Sequence, residues 1–516
     1  SSNIAFKVTS YRQSGTTQQP VAWKISKYEE WDYATNSWVD KGTTKPDWLG
    51  DLTDHGNGGT AAEVGNTAVK PATVIDKLAA YNQVLKDATP KGTAANPYNL
   101  ANPGGSGAKS HIEETANCYL ISAPGHYCIP LVYGNAIKNG IKNEHSYRTS
   151  NTSNEILTNF KDHAGVDINS PYINVQNASN PATKASIVWT DQSGLVDGLT
   201  VTGSGANSYV NFHVPADKIK NGNAVIAVKN ASGIVMWSWH LWFDHSDVLN
   251  TIACTNYQGY TYNFTKQTLG FAYRKWEEST YSKPRMARMK VEQTSANGGT
   301  KQSAYVTITQ NPRSVKEISS TLYQFGRKDA MPGIDAVSDG SFTPNGGDNM
   351  SIQNGIQHPE ILYSDGTSWY YIPPTGYTYY NLWSMDNTTY GYNDNAVVKT
   401  IYDPCPAGFH MPASNAFTGF TTNGLSSGLM NVSGAWDYGW NFKAGGSSTA
   451  TVYFPASGCR GSNGSLYYVG EYGIYLSAVP NSLHNDCHMY FYQTSISPQN
   501  YGYRSTGKSV RPVAEP

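Results

Sequence analysis

Charge is scarce in this 516-residue chain: Asp, Glu, Lys and Arg make up 15% of it, and they balance to −1. A near-neutral balance gives no support to a nucleic-acid footprint or an anionic-membrane patch. Leu, Lys and Glu, which fill ordinary helices, are few, and that counts against a helical fold. No apolar run reaches the ~18 residues of a membrane-spanning helix, so no transmembrane span is expected. None of the six cysteines forms a CxxC pair, so neither a zinc knuckle nor a dithiol redox motif is expected. There is no HExxH, no GxSxG elbow, no Walker loop and no GxGxxG after a strand. No spacing of Asp and Glu singles out an acid/base pair, and no enzyme activity is expected. The chain opens with Ser1-Ser2 and no Met, which we read as a mature or trimmed form.

What is abundant is glycine, at 49 residues, and tyrosine, at 37. Short strands between turns use that composition, so the fold is expected to be mostly β. Ile4–Tyr11 and Val21–Ile25 alternate as strands, Asn66–Ala72 is a weaker strand, and Val74, Leu78, Tyr81 and Leu85 have helical spacing. Residues 90–110 read as a loop. Strands at Ser186–Thr190, Leu199–Thr202, Tyr209–Val214, Ala224–Lys229 and Gly233–Phe243 recur about every ten residues, as in a β-sandwich. Val235, Trp237, Trp239, Leu241 and Phe243 share one face of the last of these. Arg285–Gln293 and Ser303–Gln310, joined through Asn297-Gly298-Gly299, read as a hairpin.

Cys118 and Cys128 flank Ala123-Pro124-Gly125, so they either face each other across a hairpin or are two separate buried thiols. His240 and His245 could bind metal, but a ligand set needs three or four convergent groups and only Asp244 is near in sequence; a structural role is expected. Cys459 and Cys487 lie in contexts that mark neither as an activated thiol.

Three stretches have unusual composition. Tyr402-Asp403-Pro404-Cys405-Pro406-Ala407-Gly408-Phe409-His410-Met411-Pro412 packs three prolines and a glycine into rigid irregular backbone. Ser414 then reads as an N-cap, with Phe417 and Phe420 on one face of a short helix. Upstream lies Leu322-Tyr323-Gln324-Phe325-Gly326-Arg327-Lys328-Asp329-Ala330-Met331-Pro332-Gly333, and Gly507-Lys508-Ser509-Val510-Arg511-Pro512-Val513 closes the chain. In that order these resemble the major paralogous (FISUMP) domain of surface proteins from Bacteroidales-type bacteria, which is similar to C-type-lectin-like and sulfatase-modifying-factor folds. Gly473–Ser477 matches a third family motif, with Leu476 where tryptophan is usual. Glu114–Asn135 looks like the stretch that often precedes that domain.

The resemblance implies a C-terminal C-type-lectin-like domain, α+β with few short helices, after one or two β-sandwich domains. The expected boundaries are 1–95 for a sandwich, 96–249 for a second sandwich or a continuation of the first, and 250–516 for the lectin-like domain with the 285–310 hairpin inserted. It further implies a non-enzymatic cell-surface adhesin or fimbrium tip-like subunit, anchored at the outer membrane through a processed N-terminus. Its partners would be a glycan or a host or bacterial surface protein, with fimbrial subunits as further partners and no nucleic acid. A glycan-capture protein of a polysaccharide uptake system is the alternative, and a formylglycine-generating-type enzyme is the least expected.

The ligand is expected on the ring-rich segment holding Trp369, Tyr370, Tyr377, Tyr379, Tyr380, Trp383, Tyr390 and Tyr392, with Asp386 and Asn387 as polar neighbours. The competing reading puts many of these rings in the core. Tyr467–Tyr472 is a second aromatic stretch. Arg327, Lys328, Asp329, Cys405 and Arg511 are read as structural; the alternative is that Arg327 and Asp329 line the ligand site. No cofactor or metal is expected. Calcium signatures of the Glu-Pro-Asn or Gln-Pro-Asp type are missing, although Asp and Asn clusters leave calcium open.

Overall fold

The computed structural model describes residues 1–364 and 376–516. It is mostly β, with only three α-helices among the described residues: Lys77–Asp87, Ile173–Gln176 and Ile352–Gln357. The chain divides into two compact units, one of residues 1–78 and 275–316 and the other of residues 79–274 and 317–516.

The first unit is a pair of sheets. One has the order Thr17–Pro20, Ser2–Ser14, Gly59–Val69, Leu49–Leu52; the other has the order Ser303–Gln310, Arg285–Gln293, Trp23–Asp32, Ser37–Asp40. Strand alternation drives both. In Arg285–Gln293 every second residue from Ala287 is buried, and Ala287, Met289 and Val291 join Phe6, Val8, Trp23, Tyr28, Trp48 and Ile308 in one core. The expected hairpin therefore forms, but it belongs to the N-terminal sandwich and not to a C-terminal domain. Arg285–Gln293 pairs antiparallel with Trp23–Asp32, with Met289 opposite Tyr28. Periodicity identifies a hairpin but not the distant strand that completes its sheet.

In the second unit a five-stranded sheet runs Cys118–Ile121, Val235–Phe243, Gly222–Lys229, Lys184–Thr190, Asp339–Gly340. A four-stranded sheet runs Asp197–Thr202, Tyr209–Val214, Gly125–Pro130, Tyr98–Asn99. All nine residues of Val235–Phe243 are buried, so this strand is covered on both faces rather than on one. The covering residues come from both sides of the strand in sequence: the Trp237 ring lies 5.0 Å from Tyr133 and 6.4 Å from Tyr402, and Lys328 donates to the Ser238 hydroxyl at 2.6 Å. The expected boundary at 249 is accordingly absent. One hydrophobic cluster extends from Leu85 to Val510.

Cys118 and Cys128 do not face each other across a hairpin. Cys118–Ile121 pairs parallel with Val235–Phe243, while Gly125–Pro130 pairs antiparallel with Tyr209–Val214, so the Pro-Gly turn is a corner between sheets. Gly125 sits at φ +152°, where an added Cβ would lie 2.0 Å from the Lys91 carbonyl oxygen. All six cysteines are free thiols.

The three motif stretches meet in this unit and are held by buried polar side chains. Asp403 accepts from the Cys405 and Met411 amides at 2.7 and 2.9 Å, and Lys399 donates to the Cys405 and Pro406 carbonyls. Asn117 donates to the Ile401 and Asp403 carbonyls and accepts from Trp237, which locks the proline-rich loop to the central strand. Arg511 is fully buried and donates to the Thr265 and Lys266 carbonyls and the Thr268 hydroxyl. Ser414 does not cap a helix. Its hydroxyl accepts from the Asn393 amide and donates to the Gly391 carbonyl, and only a 3₁₀ turn, Thr418–Phe420, follows.

Two outcomes are expected. Arg511→Met strands two carbonyls and a hydroxyl, at about 1–3 kcal/mol for each unsatisfied group, and lowers the urea midpoint by the equivalent of ~3 kcal/mol or more; an unchanged midpoint contradicts the staple role. A fragment of residues 250–516 fails to fold, because the core it shares with residues 85–249 is cut; a soluble fragment with a cooperative melt contradicts the unit described here.

Candidate ligand-binding surface

The ring-rich segment divides between core and surface. Trp369 and Tyr370 lie outside the described residues. Tyr377 is buried and donates to the Phe325 carbonyl at 3.0 Å. Trp383 is fully buried, donates to the Tyr402 carbonyl at 2.9 Å, and lies 5.0 Å from the Phe325 ring. Both are core rings, a correction to the expected ligand platform. Asn387 is also buried, spending its amide on the Tyr380 and Thr389 carbonyls. Tyr379 is half-buried against the core and Tyr392 is half-buried. Asp386 meets His145 at 2.8 Å on the surface. Among the described residues of the segment the exposed ring is Tyr390, 63% exposed and 5.9 Å from the half-buried Tyr380. Among the described residues the rings split between core and surface because Tyr377 and Trp383 turn inward onto Phe325 and Tyr402.

A denser surface cluster stands on the last three-stranded sheet, Gly473–Pro480, Asn485–Tyr492, Ser495–Tyr503. Period two sorts its middle strand: Cys487, Met489 and Phe491 are buried, whereas Tyr490 and Tyr492 are half-buried on the other face. Tyr472 joins them, 5.4 Å from Tyr490 and 5.6 Å from Tyr492, and stands 4.1 Å from Tyr468. Tyr467 follows at 6.0 Å from Tyr468. Tyr467 and Tyr468 are 40% and 48% exposed. These five rings make a tyrosine shelf.

Backbone geometry holds the shelf in place. Tyr468 adopts φ +61°, unusual for a non-glycine residue, and its carbonyl accepts from both the Glu471 and Tyr472 amides. Gly458 runs beneath, where a Cβ would lie 2.4 Å from the Tyr467 oxygen. Asn463 donates to the Tyr467 hydroxyl at 2.9 Å. Desolvation by its surroundings, with Tyr472 alongside, pushes the Tyr490 phenol up to about 12, so it is neutral at physiological pH and keeps a proton to donate. Trp436 and Trp440, half-buried and 5.6 Å apart, pack with Phe491 against the core on the other face of Asn485–Tyr492. Sequence reasoning singled out Tyr467–Tyr472 but missed Tyr490 and Tyr492. The alternation of Asn485–Tyr492 was the available signal for the tyrosines.

The residues read as structural are buried. Arg327 donates to Gln324 and to the Ile361, His358 and Gly355 carbonyls, and Lys328 donates to Asp329 at 2.7 Å and to Ser238 at 2.6 Å. Arg327 and Asp329 also line a cavity of about 20 Å³, room for one water rather than a ligand. His240 hydrogen-bonds Asn223 at 2.7 Å, and burial pushes its imidazole down to about 3. His245 stacks on Tyr81 at 3.7 Å. The two do not converge, and among the described residues no three or more His, Cys, Asp or Glu side chains are arranged to hold a metal ion. Burial raises the Cys459 and Cys487 thiols above their ordinary range, the opposite of an activated nucleophile. No family model, curated protein or solved structure matches the chain.

Core and shelf rings are expected to respond differently to truncation. Trp383→Ala costs about 3–5 kcal/mol of stability, whereas Tyr468→Ala costs under about 1 kcal/mol. Urea denaturation of both variants measures this, and equal losses would contradict the assignment of either ring.

Proposed function

We propose that this chain is a non-enzymatic surface adhesin that recognises a glycan on the tyrosine shelf. One observation carries the reading: five tyrosine rings cluster at the surface within 4.1–6.0 Å of their neighbours, on backbone fixed by a sheet and a tight turn. Aromatic faces pack against the C–H faces of sugars, and tyrosine adds a hydroxyl for sugar oxygens at low entropic cost. The segments that build the shelf, 461–472 and 488–495, contain Glu471 but no Lys or Arg. That favours neutral glycans over acidic ones.

The motif resemblance of the C-terminal half to the major paralogous domain supports an adhesin or fimbrium tip-like subunit at the outer-membrane surface. It also suggests fimbrial subunits as partners. The raised, unactivated Cys459 and Cys487 thiols weigh against the formylglycine-generating alternative. Capture of glycans for an uptake system uses the same shelf and differs in the partner proteins.

The test is a glycan array followed by titration calorimetry on the best binder. Tyr468→Ala, Tyr472→Ala and Tyr490→Ala each weaken binding roughly five- to tenfold, since a stacked ring is worth about 1 kcal/mol or more, with the melting temperature nearly unchanged. A neutral glycan is preferred over a uronic or sialic acid analogue. Binding that survives all three substitutions, or an array on which no glycan binds, overturns the reading.

A further inference from the structure

The outward face of the sheet Asp197–Thr202, Tyr209–Val214, Gly125–Pro130, Tyr98–Asn99 has a second constellation, remote in sequence from the shelf. His126 and His213 are directly opposite each other on adjacent antiparallel strands, and Asp197 on the next strand is opposite His213. The two imidazoles face each other at 4.4 Å with an interplanar angle of 22°. The Nδ1 of His213 lies 2.9 Å from the Asp197 carboxylate. A neutral His213 therefore donates from Nδ1, which leaves the lone pair on Nε2 free. The rings stand in an open groove of about 480 Å³ that Pro97, Lys109, Thr200, Thr202 and Asn211 also line.

Two stacked histidines gain little and lose charge stability whenever both protonate. Asn211 spends its amide on Thr200 and Thr202, and Lys109 sits over the Tyr209 ring at 4.5 Å, so neither satisfies the imidazoles. Directly opposed residues on antiparallel strands have Cβ atoms about 4.5–5.5 Å apart. Two metal–nitrogen bonds of about 2.1 Å span a similar gap. Turning the half-buried rings out of their stack brings one in-plane nitrogen of each toward a shared ion. A carboxylate on the far nitrogen of a histidine is the partner that fixes the tautomer and raises the basicity of metal-bound imidazole.

We propose that His126 and His213 together bind one divalent first-row transition ion of the zinc, copper or nickel type, with Asp197 orienting His213. Imidazole nitrogen suits these ions, whereas magnesium and calcium require oxygen. With two protein ligands the ion keeps open positions, and these face the groove. The site goes beyond glycan recognition and stands or falls without it.

The test uses the full chain without a polyhistidine tag, titrated with Cu²⁺, Ni²⁺ and Zn²⁺ by calorimetry, with electron paramagnetic resonance of the Cu²⁺ form. The expected result is saturable binding of one ion with a two-imidazole signature. His126→Ala and His213→Ala each abolish that ion and its signature, and Asp197→Asn weakens it about tenfold or more. His55→Ala and His111→Ala, at exposed histidines elsewhere, change nothing. Thermal melts confirm that the variants, all on an outward face, remain folded. Absence of saturable binding, or binding that persists in both His126→Ala and His213→Ala, overturns the proposal. So does the same loss in the His55 and His111 controls, which would mark scattered surface adsorption.

Discussion

Long irregular loops bring backbone carbonyls into the core of the second unit, and those carbonyls need donors. A buried, unpaired carbonyl costs about as much as a lost hydrogen bond. Here the donors are buried guanidinium groups. Arg460 donates to the carbonyls of Pro332, Ile334 and Gly464, and Arg504 to those of Tyr379 and Ser482. Arg327 and Arg511 do the same for the upstream and terminal motifs. Rings lie against them: Phe454 is 4.2 Å from Arg511, Phe342 4.6 Å from Arg460 and Phe325 4.8 Å from Arg504. Burial pushes Arg460, Arg504 and Arg511 down to about 10, still well above neutral pH, so each remains a cation with a full set of donors. A planar fork that stays charged and stacks on aromatics suits this task better than lysine.

That constraint shapes the surface. Arg460 fixes the loops at 332–334 and 464, and the loop at 464 leads into Tyr467 and Tyr468. Arg504 fixes the turn at 482 and the backbone at Tyr379. The exposed rings therefore stand on rigid loops, and rigid aromatic anchors lose little entropy when a ligand binds. This links the buried polar network to the recognition we assign to the shelf. Under that proposal, specificity comes from which rings the loops push outward.

Much of the fold was legible in the sequence. The strands between 184 and 243 and the 285–310 hairpin lie within a few residues of their expected positions, because period-two alternation and glycine turns are local signals. The Arg327–Asp329 cluster and Arg511 were also legible, since charges inside apolar, proline-rich stretches imply buried partners. What was not legible is non-local. The Pro124-Gly125 turn reads the same whether its flanking strands stay in one sheet or part into two, and here they part. The interleaving of residues 275–316 with residues 1–78 depends on a strand partner some 260 residues away. Tyrosine is intermediate in burial, so composition alone could not send Tyr377 and Trp383 inward and Tyr467 and Tyr468 outward.

Native-state hydrogen exchange tests the central claim most directly. The amides of Tyr323, Met331, Cys405 and Met411 lie in loops and that of Arg460 in a two-residue strand, and they donate to Lys508, Leu322, Asp403, Asp403 and Gly507 respectively. If buried arginines and asparagines hold these loops as core, the five amides exchange only through global opening, as slowly as those of the central strand Val235–Phe243. Exchange at the rate of ordinary surface loops, well before the strand amides, would contradict the account.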